Sequence, residues 1–162
     1  MRIVLIVELL ALLSTANTVP LLVKRWMGER WAWPLDGGLT LWDGRPLFGR
    51  SKTLRGLAFG IAACTLLAAL LGLGWAIGLV AGAAALAGDL LSSFVKRRLG
   101  FTASSKATGI DQIPESLLPL LAVRTALDLS VAEIAVTVAI FFAGEIVLAR
   151  LFHRLGLRDT PY

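Results

Sequence analysis

The residues with the clearest chemical potential lie at the end of a long apolar segment. Asp89 is followed by Ser93, Lys96 and Arg97, and helical positions separated by four, seven and eight residues share one face. A carboxylate, a hydroxyl and two cations therefore form one stripe, with Arg98 directly beyond it. An ionised carboxylate near the end of an apolar span costs free energy unless it has a partner or a function. The alternative is a membrane boundary, in which the three basic residues anchor the span and pair with Asp89.

A second carboxylate, Asp111, follows a polar stretch and precedes Gln112 and Pro114. We expect it to approach Asp89 from the start of the next helix. Two carboxylates among basic residues suit a magnesium ion that bridges substrate phosphates, because Mg²⁺ takes one or two protein carboxylates and completes its shell with phosphate and water. The sequence thus predicts a metal site at Asp89 and Asp111. A helix N-cap is the alternative role for Asp111.

The segment before the second apolar run is rich in glycine and in basic residues. It contains Asp43, and Lys52 and Arg55 lie at the start of the following helix, which Ser51 or Thr53 can cap. Free backbone N–H groups at a helix start, together with two cationic side chains, favour an anion such as phosphate. A flexible basic loop attracted to anionic lipid headgroups explains the same composition.

The elements that must position these residues are membrane helices. The chain is 57% hydrophobic with a mean hydropathy of +0.78, which is too apolar for one soluble core. Spans of about 20 residues cross the hydrocarbon layer, and the glycines at 72 and 74 divide one long uncharged run into two. We therefore predict an all-α, integral membrane bundle of about five helices in one domain, residues 1–162. The predicted helices are 3–23, 54–71, 75–95, 114–129 and 131–152.

The start of the first helix also resembles a secretory signal peptide. Apolar character continues to Val23, and Glu8 interrupts the segment, so a spanning helix is favoured.

The distribution of basic residues predicts the orientation. Fourteen of the 16 Lys and Arg residues fall within 24–55, 96–106 and 150–158, and none lies near Leu73 or Ser130. The positive-inside rule places these segments on the cytoplasmic side of the cell membrane and the amino terminus outside. Residues 24–53 and 96–113 are then cytoplasmic loops, and 153–162 is a cytoplasmic tail. The net charge of +5 is explained by this topology, so no nucleic-acid partner is expected.

The segment from Gly88 to Gly100, followed by Asp111 and Gln112, resembles the signature of the CDP-archaeol synthase family, relatives of the phosphatidate cytidylyltransferases. Weaker similarities lie at residues 16–20, 43–56 and 156–161, so the resemblance covers nearly the whole chain. Three positions differ from the family pattern. Leu54 stands where the family has Trp or Tyr, and the fifth helix has Glu145 and Ala149 in place of His and Asn. These differences bear on the lipid site more than on the nucleotide chemistry.

The resemblance implies a membrane enzyme that uses CTP and Mg²⁺ to convert a lipid phosphate, of the archaeal dialkylglycerol type or similar, into a CDP-lipid and pyrophosphate. It implies catalytic roles for Asp89, Asp111 and Lys96, with the metal held by the two aspartates. The residues expected to bind CTP and its phosphates are Lys52, Arg55, Ser93, Lys96, Arg97, Arg98 and Asp43. The expected partners are CTP, a lipid phosphate and membrane lipids, and an oligomer is compatible with the sequence.

The alternative class is a non-catalytic membrane protein, such as a transporter subunit or a lipid-binding scaffold. It would explain the helices and basic loops without requiring the aspartates, Ser93 and Lys96 to converge. The chain has no phosphate-binding Gly-rich loop followed by Lys-Ser/Thr, no His-Glu-x-x-His sequence and no cysteine pair for zinc.

Overall fold

The computed structural model describes residues 1–102, 105 and 107–154, and for residues 148–154 the backbone alone. All the regular elements in this part of the chain are helices, which confirms the all-α prediction. They are α1 (Ile3–Met27), α2 (Leu54–Leu70), α3 (Trp75–Arg98), α4 (Gln112–Val123) and α5 (Val131–Arg154). The tail from residue 155 onward, with its weak family similarity, lies outside the described residues.

The helix boundaries differ from the predicted ones by one or two residues at several ends and by three or more at three ends. Helix α1 continues one turn further, to Met27, and α3 continues to Arg98, so the three basic residues belong to the helix and not to a loop. Helix α4 is shorter than predicted, because its 12 residues end at Val123. The chain then turns, and Asp128 adopts a φ of +48° before α5 begins. At about 1.5 Å per residue, α4 is too short to cross a hydrocarbon layer of about 30 Å.

The outer surface of the bundle is apolar. Among the described residues, α1 and α3 are long and apolar enough to span a membrane, and α2 and α4 are shorter apolar helices. Large hydrophobic side chains on the helices are exposed, including Val4, Leu21, Leu66, Leu70 and Val147. Such a surface suits lipid as the surrounding solvent.

Small residues set how closely the helices pack. A Cβ added at Gly78 would collide with the backbone carbonyl of Cys64, and one added at Gly82 would lie 2.8 Å from the Cβ of Cys64. These contacts bring α2 against α3, and Cys64 is fully buried between them. A Cβ at Gly88 would collide with the carbonyl of Pro114, so α4 crosses α3 beside Gly88. Close backbone approach at small residues is how membrane helices gain packing energy.

The amino-terminal end of the bundle is fastened by Arg2. Its backbone N–H and guanidinium donate to the carboxylate of Glu133, and the guanidinium also donates to the carbonyls of Leu127 and Asp128. Glu133 in turn accepts from the backbone N–H and hydroxyl of Ser130. One side chain therefore joins the starts of α1 and α5 to the turn that follows α4.

At the opposite end, the connection between α1 and α2 folds into an ordered loop, residues 28–53. The carboxylate of Asp36 accepts hydrogen bonds from the backbone N–H groups of Gly38, Phe48 and Gly49. Partial burial raises the pKa of Asp36, but these backbone hydrogen bonds outweigh it and hold that pKa below its ordinary value. An antiparallel bridge joins Pro34 to Thr53 and closes the base of the loop.

We predict that Gly88→Ala destabilises the protein by about 1–3 kcal/mol, the usual cost of overpacking, because the methyl group would push α4 away from α3. Thermal unfolding in detergent, followed by size-exclusion chromatography, measures this effect. Gly144→Ala is the matched control, since a Cβ there meets nothing within 4 Å. Equal unfolding temperatures for the two variants would contradict the packing account.

A second prediction concerns acid. The lowered pKa of Asp36 means that its ionised form stabilises the loop above the unfolded-state value of about 3.9 and that this contribution is lost as pH falls through the lower folded-state pKa. Asp36→Asn should therefore expose the loop to proteolysis at neutral pH, at a cost of about 1 kcal/mol. Cleavage rates of the two proteins should converge below the folded-state pKa, and a constant difference at every pH would contradict the prediction.

Candidate functional site

A cavity of about 600 Å³ opens at the end of the bundle that carries the basic residues. All five helices and the loop 28–53 contribute to its wall. Among the described residues, five cationic and five acidic side chains line it: Lys24, Arg50, Lys52, Arg55, Lys96, Glu29, Asp89, Asp111, Glu115 and Glu145. Its volume lies within the usual range for small-molecule sites, about 300–1,000 Å³.

Asp89 lies on α3 and is held by a lysine from outside its own helix. The Nζ atom of Lys52 lies 2.5 Å from each carboxylate oxygen of Asp89. Both side chains are mostly buried, at 22% and 23% exposure. The predicted boundary pairing of Asp89 with the basic residues of α3 is therefore not observed. Its partner comes from the loop that sequence reasoning assigned to phosphate binding.

Asp111 forms the second ion pair of the cavity. Its carboxylate lies 2.6 Å from Nζ of Lys96, and Lys96 also donates to the carbonyl of Ser105. Asp111 occupies the N-cap position of α4, but its side chain makes no capping hydrogen bond. The carboxylate accepts from the backbone N–H of Ala107 instead. The capping alternative therefore describes the position of Asp111 and not the role of its side chain.

The start of α2 is built as the sequence predicts, with one difference. Thr53 caps the helix by accepting from the N–H of Gly56. Arg55 is buried and lines the cavity, but its guanidinium donates to the carbonyls of Gly28 and Arg30. Arg55 therefore fastens the end of α1 to α2 while its charge faces the cavity.

Four predicted site residues lie outside the cavity lining: Asp43, Ser93, Arg97 and Arg98. Ser93 and Arg97 are buried on α3. Arg98 pairs with Asp43 at 2.5 Å and donates to the carbonyls of Arg45 and Pro46. The guanidinium of Arg45 in turn donates a hydrogen bond to the carbonyl of Arg98. We call this group, residues 43–46 with Arg98, the loop clasp, because it holds the loop to the end of α3.

Sequence reasoning assigned no role to Glu115, and it did not predict that Asn17 pairs with Glu145, although Glu145 was expected to bear on the lipid site. The buried carboxyl of Glu115 lies beside that of Asp89, four residues after Asp111 and thus on the same face of α4. The four-residue spacing from Asp111 could therefore have identified Glu115 as a site residue from the sequence. The amide of Asn17 donates to Glu145 at 2.6 Å, which joins α1 to α5 in the deeper part of the cavity.

The donor set fits a magnesium ion. No group of three or more His, Cys, Asp or Glu side chains among the described residues is arranged to hold a metal by itself. Asp89 and Asp111, however, line one cavity, and Mg²⁺ characteristically takes one or two carboxylates and fills its remaining positions with phosphate oxygens and water. Both aspartates are paired with lysines, which an incoming phosphate can attract away.

The arrangement as a whole suits a polyanionic ligand. Lysine carries its charge on a flexible stem and can transfer it from a carboxylate to a phosphate. Lys52 and Lys96 are mostly buried, which strengthens such contacts over their value in water. Stabilising the charge of a transferring phosphoryl group requires positioning and electrostatics more than covalent participation by the protein.

Comparison with known proteins identifies similar chains. The family model described as CDP-archaeol synthase (CarS-like) matches residues 3–162. The CDP-archaeol synthase of Hyperthermus butylicus is 35% identical over 157 residues, covering 91% of this chain and 89% of that protein. That of Aeropyrum pernix is 35% identical over 158 residues, covering 91% and 85%, and that of Sulfurisphaera tokodaii is 32% identical over 135 residues, covering 80% and 81%.

A solved structure shares the fold. It is described as an intramembrane enzyme for archaeal membrane lipids biosynthesis, and it superposes with a TM-score of 0.74 at 30% sequence identity. The similarity covers 88% of this chain and 90% of that one. The membrane helical bundle predicted from the sequence is thereby confirmed.

The loop clasp can be tested by a double-mutant cycle. Because Asp43 and Arg98 bind each other, we predict that Asp43→Asn and Arg98→Gln each lower the free energy of unfolding and that the two losses are coupled. The double variant should be no less stable than the weaker single variant. Fully additive losses, measured by chemical unfolding in detergent, would show that each residue has a separate partner.

Proposed function

This chain belongs to the CDP-archaeol synthase family, and from that premise we propose that its cavity transfers a cytidylyl group from CTP to a lipid phosphate, with Mg²⁺ as the cofactor. An oxygen of the lipid phosphate attacks the α-phosphorus of CTP. The bond from that phosphorus to the bridging oxygen of the β-phosphate breaks, and pyrophosphate leaves with the electron pair. The products are a CDP-lipid and pyrophosphate.

The observation that carries this proposal is the pairing of two lysines with two carboxylates inside one cavity. Lys52 and Lys96 hold Asp89 and Asp111, so the inner wall has no net charge from these four groups. A triphosphate offers both lysines stronger anionic partners. As the lysines turn to the phosphates, the two carboxylates become available as metal ligands.

The proposal gives a role to each predicted residue that lines the cavity and to the two residues of the loop clasp. Lys52 and Lys96 bind the triphosphate and stabilise the charge that develops on the leaving group. Asp89 and Asp111 would hold Mg²⁺, which when bound neutralises phosphate charge. Arg55 adds a fixed positive charge at the same wall. Asp43 and Arg98 act indirectly, because the loop clasp positions the loop from which Lys52 extends.

Ser93 lies between Asp89 and Lys96 along α3, and Arg97 follows Lys96; both are buried and neither lines the cavity. We assign them to positioning and not to direct contact with CTP.

The proposed orientation places the cavity mouth on the cytoplasmic side and the amino terminus outside. CTP is a cytoplasmic solute, and the positive-inside rule puts the basic residues of loop 28–53 and of the end of α3, which the loop clasp joins, on the cytoplasmic side. The lipid substrate is a dialkyl- or diacylglycerol phosphate. Glu145, beside Asn17 in the deeper cavity, is positioned to influence which of the two lipids binds.

The direct test is incubation of purified, detergent-solubilised protein with radiolabelled CTP, Mg²⁺ and a panel of lipid phosphates. Labelled CDP-lipid and pyrophosphate in equal amounts, dependent on Mg²⁺, are the expected products, and the panel ranks the lipids. No product from folded protein with any lipid would sink the proposal. Substrate flux through proteoliposomes without CTP would favour the transporter alternative instead.

We predict that Asp89→Asn lowers turnover by at least about a hundredfold, the scale of losing one preorganised electrostatic group, because the amide can neither hold Mg²⁺ nor pair with Lys52. Asp128→Asn is the control, since Asp128 is exposed outside the cavity and asparagine tolerates its positive φ. Unfolding temperatures establish that both variants are folded. Turnover in Asp89→Asn equal to that of the control would remove Asp89 from the metal site.

A further inference from the structure

One face of the second half of α1 lines the cavity. Asn17, Pro20, Leu21 and Lys24 all contribute to the wall, and their spacing of three, four and seven residues places them on one side of the helix. Leu21 is also 62% exposed on the outer surface. The cavity therefore reaches the lipid-facing side of the bundle at this helix, with an apolar patch followed one turn later by a cation.

Two exposed cations of the cavity, one on α1 and one on the loop 28–53, differ from the lysines of the inner wall. Lys24 and Arg50 are exposed cavity residues, and neither forms an ion pair with any side chain among the described residues, including Glu29 in the same wall. Lys52 and Lys96, in contrast, are both paired with carboxylates. The cavity therefore has an inner pair of engaged lysines and an outer pair of available cations.

We propose that Lys24 and Arg50 bind the phosphomonoester of the lipid substrate, with its chains lying along Pro20 and Leu21 toward the bilayer. This inference rests on the proposed function, and it divides the cavity between the two anionic substrates. The triphosphate of CTP takes the inner lysines beside Asp89 and Asp111.

The order of groups on α1 matches an amphiphile and not a nucleotide. A lipid phosphate carries its charge directly beside apolar chains, as Lys24 follows Leu21 by one helical turn. A phosphomonoester has about 1.5–2 negative charges near neutral pH, which an unpaired Lys and an unpaired Arg can balance. Arg also offers a bidentate donor pair, and Lys offers a point charge on a flexible stem.

The experiment compares Lys24→Gln and Arg50→Gln with two matched controls, Arg25→Gln and Arg30→Gln. The controls remove the same charge from exposed residues in the same region whose side chains do not line the cavity. KM is measured separately for the lipid phosphate, as a mole fraction in mixed micelles, and for CTP. Lys24→Arg and Arg50→Lys test whether retained charge restores binding.

We expect each Gln variant of the proposed site to raise the KM for the lipid phosphate about tenfold, the scale of one charged hydrogen bond, while the KM for CTP changes less than about twofold. A rise in the KM for CTP instead would assign these cations to the nucleotide and overturn the proposal. An equal effect of Arg25→Gln would also overturn it, because general attraction of lipid to a basic surface would then suffice.

A binding measurement without CTP separates this inference from the proposed reaction. Dialkylglycerol phosphate should raise the unfolding temperature of the wild type in neutral micelles, and Lys24→Gln should require about tenfold more lipid for the same shift. If the wild type made no CDP-lipid but this binding difference persisted, the proposed reaction would be wrong and the lipid-phosphate site would stand. Soluble glycerol phosphate is the arm without chains, and stabilisation by it equal to that by the lipid would remove Pro20 and Leu21 from the site.

Discussion

A charge inside an apolar helix bundle must be neutralised, and the ion pair of Asp89 with Lys52 is the contact on which the site depends. Lys52 does not belong to the helix that carries Asp89, so the pair forms only when loop 28–53 folds back over the end of α3. The other strong contacts of this region serve that arrangement. Asp36 organises the loop from within, and the loop clasp fixes it to α3. The loop is therefore a wall of the site and not merely a connection.

A second constraint is the close approach of α3 and α4. Glycine at position 88 lets the backbone of Pro114 pass against α3, and the next residue along α3 is Asp89. The same crossing brings Glu115 beside Asp89 and places Asp111 within reach of Lys96. Gly88, which sets the crossing of α3 and α4, and Asp89, which provides a carboxylate of the site, are thus adjacent in the chain. A side chain at position 88 would separate the carboxylates even if every charged residue were retained.

The sequence predicted α1, α2 and α3 well because these apolar helices end at basic residues or at the glycines 72 and 74. It also identified Asp89, Asp111, Lys52, Lys96 and Arg55, all of which line the cavity. It could not predict which cation pairs with which carboxylate, since that depends on how an irregular loop folds over a distant helix.

The features that the sequence did not predict have one physical cause, which is contact between parts of the chain that are far apart in sequence. Glu115 and Asn17 could each be recognised as polar residues in apolar helices. Their contacts with Asp89 and Glu145, however, depend on how α4 crosses α3 and how α1 packs against α5. The length of α4 was overestimated because residues 124–129 contain no glycine or proline that would mark the end of a helix. The turn that ends α4 is fixed by Arg2 from the other end of the chain. Local pattern cannot report such a contact.

The paired state of the inner wall also explains how so small a membrane protein can hold a polyphosphate without a separate nucleotide-binding domain. Unpaired lysines at this depth would be costly, because the surrounding medium solvates charge poorly. Carboxylates remove that cost while no substrate is bound, and under the proposed reaction they would hold Mg²⁺ once phosphate has attracted the lysines. The same four side chains therefore serve stability in one state and phosphate binding in the other. Under the proposed reaction, the site becomes fully charged only when a polyanion is present to compensate it.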